Sequence, residues 1–421
     1  MRFFPVHLFF VLVTFLIGCE KKEETVAIPQ QTAVAQLATK TPAISLSPQL
    51  PEKLEQHPES VKFAPGALLP LIQRAQKELN ELPPLEYSYD ESPSKKKSLD
   101  KKPSKTSKDK KKKEQKKFHL NYDIVFAVVN TATQRIETVK FPRSQVGNAR
   151  TATSSGGEFN FSWKTWNGCN TPFEIKKPAG YAVLALRCLI GNGKEVESLV
   201  YTPYTSDIDT KEMRDLGYKY LLGKMNQAQK ELQTANVKSK AFPGELVSHV
   251  VPMPVAFRLA LIEHIDPNFL NKDPVEHLVN KVLVIIAANQ EVAYTTSKSK
   301  AGAYGQFQFI PKTYSSIVKR YPDAKLLPDF RDGMRDHLNA AKASLLLFDS
   351  DLARPSKALR RSLRNNPDDL MLYLAAAYNG GSGVATKAIE SAGTEWRSLL
   401  RKETRKYLEV IEAVNKVIAP I

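Results

Sequence analysis

The sequence predicts an α+β protein in which a small antiparallel β region precedes a helix-rich C-terminal half. Short runs rich in β-branched and aromatic residues, broken by Gly, Asn and Pro, fill positions 118–205. After Asp207 the apolar spacing becomes helical and stays so to the end. At 421 residues the chain is too long for one compact core of usual size, which points to about two or three domains with linkers.

The N-terminus, MRFFPVHLFFVLVTFLIGCEKKEE, has a basic start at Arg2 and an apolar run from Phe3 to Ile17. The run is short for a membrane span and ends at small residues, so residues 1–18 read as a secretory signal. Leu16-Ile17-Gly18-Cys19 resembles the lipobox of bacterial lipoproteins, which implies that Cys19 is lipidated. Glu20 stands where an aspartate would favour retention in the inner membrane, so the resemblance implies the periplasmic face of the envelope, anchored in the outer membrane.

Residues 19–117 read as a disordered tether. From Glu91 to Lys117 there are thirteen lysines against Glu91, Asp100, Asp109 and Glu114, a net +9 out of +17 for the whole chain. Such a tract cannot bury enough surface to offset its ordering entropy. It lacks the aromatic platforms on which bases stack, and an exported protein does not meet DNA, so no nucleic-acid partner is expected. Within the tether, Leu69, Ile72, Ala75, Leu79 and Leu82 fall near helical spacing and predict a short docking helix.

The β region (118–205) is built from YDIVFAVVN, RIETVKF, EFNFSWKTW, YAVLALRCLI and VESLVYTPY. Its Trp163 and Trp166 have faces able to stack on sugars but read as core, as large aromatics usually are. Cys169 and Cys188 are expected to pair in an oxidising compartment, two buried free thiols being the alternative.

The helical region (206–421) contains KEMRDLGYKYLLGKMNQAQKEL, VAFRLALIEHI, VEHLVNKVLVIIAANQE and further helical runs. In the third of these, Asp273 is expected to cap, Pro274 opens the helix, and Glu276 completes a capping box. The run Val275–Ile286 is apolar nearly all round and ends at Glu291. A carboxylate there faces the negative end of the helix dipole in apolar surroundings, so its pKa is expected to be raised, as a proton donor requires.

Downstream, Ser299-Lys300-Ala301-Gly302-Ala303-Tyr304-Gly305-Gln306-Phe307-Gln308-Phe309-Ile310-Pro311 resembles the soluble lytic transglycosylase family. Its members carry a Glu-Ser pair, an aromatic, a Ser-x-x-Gly-Ala-x-Gly-Leu-Met-Gln run and Pro-x-Thr. Glu291, Tyr294, Pro311 and Thr313 take those places here, with Val292 in place of the serine and Gln306-Phe307 in place of Leu-Met. Asp336 and Asn339 match an Asp-x-x-Asn element, AAAYNGGSGV (Ala375–Val384) matches Ala-Tyr-Asn-Ala-Gly, and ETRKYLEVI (Glu403–Ile411) matches Glu-Thr-Arg-x-Tyr-Val.

The resemblance implies a lysozyme-like catalytic domain over residues 271–415, with Glu291 catalytic and Ser299, Phe307, Gln308, Tyr378 and Asn379 contacting peptidoglycan glycan. Gly302 and Gly305 are expected to let the backbone approach a ligand, and Gly380 to stop the helix that Asn366 caps. No Asp or Glu lies between Val292 and Pro322, which suits a one-carboxyl mechanism forming a 1,6-anhydro sugar without metal or organic cofactor. A hydrolytic lysozyme and a non-enzymatic peptidoglycan-binding lipoprotein stay open as alternatives.

Overall fold

In this computed structural model the described residues are 49–55, 63–92, 117–144, 148–152, 157–164, 166–191 and 196–418. The signal segment, Cys19 and the lysines from Lys95 to Lys116 lie outside them.

Two antiparallel sheets form the β region. The larger runs β1 (Tyr87–Ser92), β2 (Lys117–Asn130), β7 (Tyr181–Gly191), β8 (Val196–Tyr201), with β3 (Ile136–Pro142) also on β2. β2 is long enough to pair with β1 through its first half and with β3 through its second. The smaller sheet is β4 (Asn148–Ala152), β5 (Glu158–Ser162) and β6 (Glu174–Lys177). Phe126, Phe141, Phe161 and Phe173 interlock between them, Phe126 lying 4.9–5.0 Å from the other three ring centroids. Cys169 and Cys188 are disulfide-bonded, with Cα atoms 6.0 Å apart, and Trp163 is core.

Before the strands come α1 (Glu52–Glu55) and α2 (Leu68–Glu81). Leu68, Leu71, Ile72, Ala75 and Leu79 of α2 are buried against β2 and β7, the docking expected from the spacing. The buried Arg187 of β7 donates to Leu79 O, Leu82 O and Pro83 O, satisfying carbonyls that the end of α2 leaves open. The tether read over 19–117 therefore contains a folded helix and strand. β1 reaches β2 through the ladder Tyr87↔Tyr122 to Ser92↔Lys117, so the lysine tract leaves and returns at one end of a strand pair.

The C-terminal half is helical: α3 (Lys211–Thr234), α4 (Val247–Val250), α5 (Met253–Ile262), α6 (Val275–Asn289), α7 (Pro311–Arg320), α8 (Phe330–Arg335), α9 (His337–Leu352), α10 (Lys357–Asn365), α11 (Pro367–Gly380), α12 (Ser382–Ala392) and α13 (Lys402–Val417). All described residues belong to one compact unit. The two halves share a core in which Val284, Ala287 and Ala288 of α6 meet α2 and the sheet. Asn289 closes the seam, its amide accepting from Thr202 N at 2.8 Å and donating to Thr202 O at 2.8 Å. At the start of α6 the cap position is Pro274; Asp273 turns its carboxylate to Lys281 instead of capping. Among the described residues no helix is long and apolar enough to cross a membrane.

Candidate active site

Glu291 does not sit as its sequence suggested. α6 stops at Asn289, where the chain must follow Asn289 back toward Thr202, and Gln290 takes a positive φ of 44°. Glu291 then lies in a single 3-10 turn with 63% of its side chain exposed. Its burial pushes the pKa up, but the Lys224 ammonium at 2.6 Å and the Tyr220 hydroxyl outweigh this and hold the carboxyl below its ordinary value. An exposed, ion-paired carboxylate cannot hold a proton near neutrality, so the expected upward shift is reversed. The missing factor was Lys224 of α3, which the local sequence around Glu291 does not reveal.

The carboxyl with the expected character is Glu263. It directly follows α5, whose residues Val255–Ile262 are all buried. Burial raises its pKa to about 7, and a hydrogen bond from the Tyr407 hydroxyl offsets only part of that shift. The next residue, His264, is held at both edges of its reach: its ring stacks on Tyr294 at 3.6 Å and 13°, and Nε2 lies 2.9 Å from Gln306 O. Since a carbonyl only accepts, Nε2 carries the proton. Burial lowers the imidazole pKa to about 3, so this histidine is neutral.

The turn Ala301–Pro311 packs beside these residues. Gly302 and Gly305 have φ of 86° and 78°, as a turn this tight requires. At Gly305, however, an added Cβ would come within 2.6 Å of Met334 O, so the close approach there is to the protein's own backbone. Gln306 is buried and donates to Ala260 O at 2.7 Å, tying the turn to the last turn of α5. Phe307, expected to touch glycan, is 1% exposed and belongs to the core. Gln308 donates to Gly305 O at 2.8 Å and to Ser297 at 3.3 Å, which makes it a brace of the turn. Ser299 Oγ accepts from Ala303 N at 3.0 Å and likewise stabilises the turn.

The C-terminal elements meet the same place. Tyr378, half-buried at the end of α11, donates to Phe307 O. Its hydroxyl pKa is pushed up chiefly by burial and then by the charges of Glu263 and Asp351. Asn366 caps α11 as expected, but the stop comes one residue later than Gly380, at Gly381 with φ 92°. Gly380 is instead helical and lies against Thr404 of α13, where a Cβ would approach Oγ1 to 2.8 Å. Asn379 is exposed beside it. Asp336 caps α9, and Asn339 donates to Tyr314 Oη and Gly333 O, fixing the segment that packs on Gly305. Thus Glu263, Tyr378 and Tyr407 come together, whereas Glu291 pairs with Lys224 outside this group.

The local sequence signal is the same at both glutamates: LALIEHI places Glu263 directly after an apolar helical run, as at Glu291, and does not by itself tell the two apart. A cavity of about 1050 Å³ opens between the halves; His264, Tyr294 and Ser297 are among its lining, and Glu263, Tyr378 and Tyr407 are not. Among known proteins, no protein-family model and no curated protein matches the chain.

Proposed function

We propose that this protein is a peptidoglycan lytic transglycosylase whose proton donor is Glu263. One observation carries the reading: a half-buried carboxyl, raised to about 7 at the end of an apolar helix, adjoins the Ala301–Pro311 turn and the tyrosines of α11 and α13. That is a donor that stays protonated near neutral pH beside three sequence elements similar to those of the family.

In this reaction Glu263 protonates the oxygen linking N-acetylmuramic acid to N-acetylglucosamine, and the bond from C1 to that oxygen breaks. The resulting carboxylate takes the proton of the muramyl C6 hydroxyl as O6 bonds to C1, giving the 1,6-anhydro end and restoring the acid. One carboxyl serves both steps. The Tyr407 hydroxyl stabilises the carboxylate between them. Compared with the family pattern, His264 replaces the serine after the acid, and α6 is inserted between Glu263 and Ser299. A lysozyme-like fold for the helical half, a lipid on Cys19 and a place on the periplasmic face of the outer membrane belong to the same proposal and rest on the sequence.

Mass spectrometry of digested sacculi tests it. Anhydro-ended fragments are expected from the parent and none from Glu263→Gln. Reducing ends, heavier by one water, would instead make the protein a hydrolase. A Glu263→Gln variant that digests sacculi like the parent would sink the assignment of the acid.

A further inference from the structure

The cavity lined by His264, with Glu263 outside its lining, is walled on one side by the β region. The loop braced by Cys169–Cys188 supplies Trp166 and Asn167, and the segment between α5 and α6 supplies Asp266 and Phe269. Trp166 is half-buried, with Phe173 at its edge and the Arg143 guanidinium 5.3 Å from its ring centroid. These contacts fix the indole, so its sugar-sized apolar face is already ordered before a ligand arrives. Phe269 is 44% exposed, with the Lys272 ammonium 5.6 Å from its ring centroid. Asp273 and Lys281 line the same space with hydrogen-bonding groups.

Aromatic faces with a few polar groups between them, in a concave site, match a saccharide: the ring presents C–H groups on its faces and hydroxyl or acetamido groups at its edge. A purely apolar ligand would leave the polar set unmatched. The lining reaches His264, the residue that follows Glu263 in the chain. We infer that this cleft between the two halves is a glycan subsite, in which Trp166 and Phe269 hold N-acetylated amino sugars. The β region is then part of substrate binding. The inference rests on the transglycosylase reading for the kind of sugar, but binding is measurable without cleavage.

The test uses the full chain carrying Glu263→Gln, titrated calorimetrically with a hexamer of N-acetylglucosamine. Adding Trp166→Ala or Phe269→Ala should each weaken binding by about tenfold, the scale of one lost aromatic contact, and Trp166→Phe should recover much of it. Phe269 is exposed, so its variant keeps the test alive if Trp166→Ala misfolds. Hexamer binding that neither alanine variant weakens, or no binding at all, overturns the subsite. Aromatic-dependent binding in a parent protein that leaves sacculi intact keeps the subsite and removes the transglycosylase reading. Conversely, parent cleavage with KM unmoved by both alanine variants keeps that reading and removes the subsite.

Discussion

Two helix ends in this molecule look alike in sequence and differ in chemistry. Each of α5 and α6 is apolar nearly all round, and each is followed within two residues by a glutamate. After α5 the chain stays inside, so Glu263 is half-buried, meets among the described residues the neutral Tyr407 hydroxyl as its hydrogen-bond donor, and is raised to about 7. After α6 the chain turns out at Gln290, so Glu291 reaches water and the Lys224 ammonium and is lowered. An apolar helix therefore does not by itself produce a proton donor. The deciding quantity is what the carboxyl meets after the helix stops, a neutral donor in the one case and a cation in the other.

The comparison breaks most sharply by removing each acid in turn. Glu263→Gln should lower sacculus digestion by about 10²–10⁴-fold, the usual contribution of a general acid. Digestion that survives this change would place the acid elsewhere. Gly305→Ala should rank next. Its positive φ and the 2.6 Å approach to Met334 O force strain into the turn beside the site, costing about 1–3 kcal/mol in denaturant unfolding. An unchanged midpoint would mean that the turn relaxes freely.

How much of this was legible in the sequence depends on whether a residue's setting is local. β2, β3, β5, β7 and β8 follow runs whose apolar pattern declares them. β1 (YSYDES), β4 (NARTA) and β6 (EIKK) carry no such pattern and exist because a neighbouring strand offers an edge. The face of α2 that docks was readable from its spacing; the Arg187 that secures its end, far along the chain, was not. The Ala301–Pro311 turn and the Asn366 cap were legible as local structure, although the helix stop fell one residue late. The buried setting of Glu263 was not legible, because α6 separates it from Ser299 with an apolar run of its own.

Smaller effects sharpen the contrast between the two carboxyls. Digestion should fall as pH rises through about 7, where Glu263 loses its proton. Tyr407→Phe removes the bond that favours the carboxylate, so this limb should move upward by about one pH unit. A downward move would show that Tyr407 does not serve Glu263. Stability should follow the same group: its folded pKa lies above the ordinary 4.5, so its contribution is present at lower pH and is lost as pH rises through about 7. Glu263→Gln should flatten that part of a melting-temperature profile. Glu291→Gln should do least, within about 0.5 kcal/mol in stability and about twofold in digestion, since it removes an exposed ion pair.

The most direct measurement is an NMR titration of the side-chain carboxyls of Glu263 and Glu291, assigned with the two glutamine variants. A midpoint near 7 for Glu263 and one below the ordinary glutamate value for Glu291 is the expected result. The reverse order, or two ordinary midpoints, would contradict the assignment of Glu263 as the proton donor.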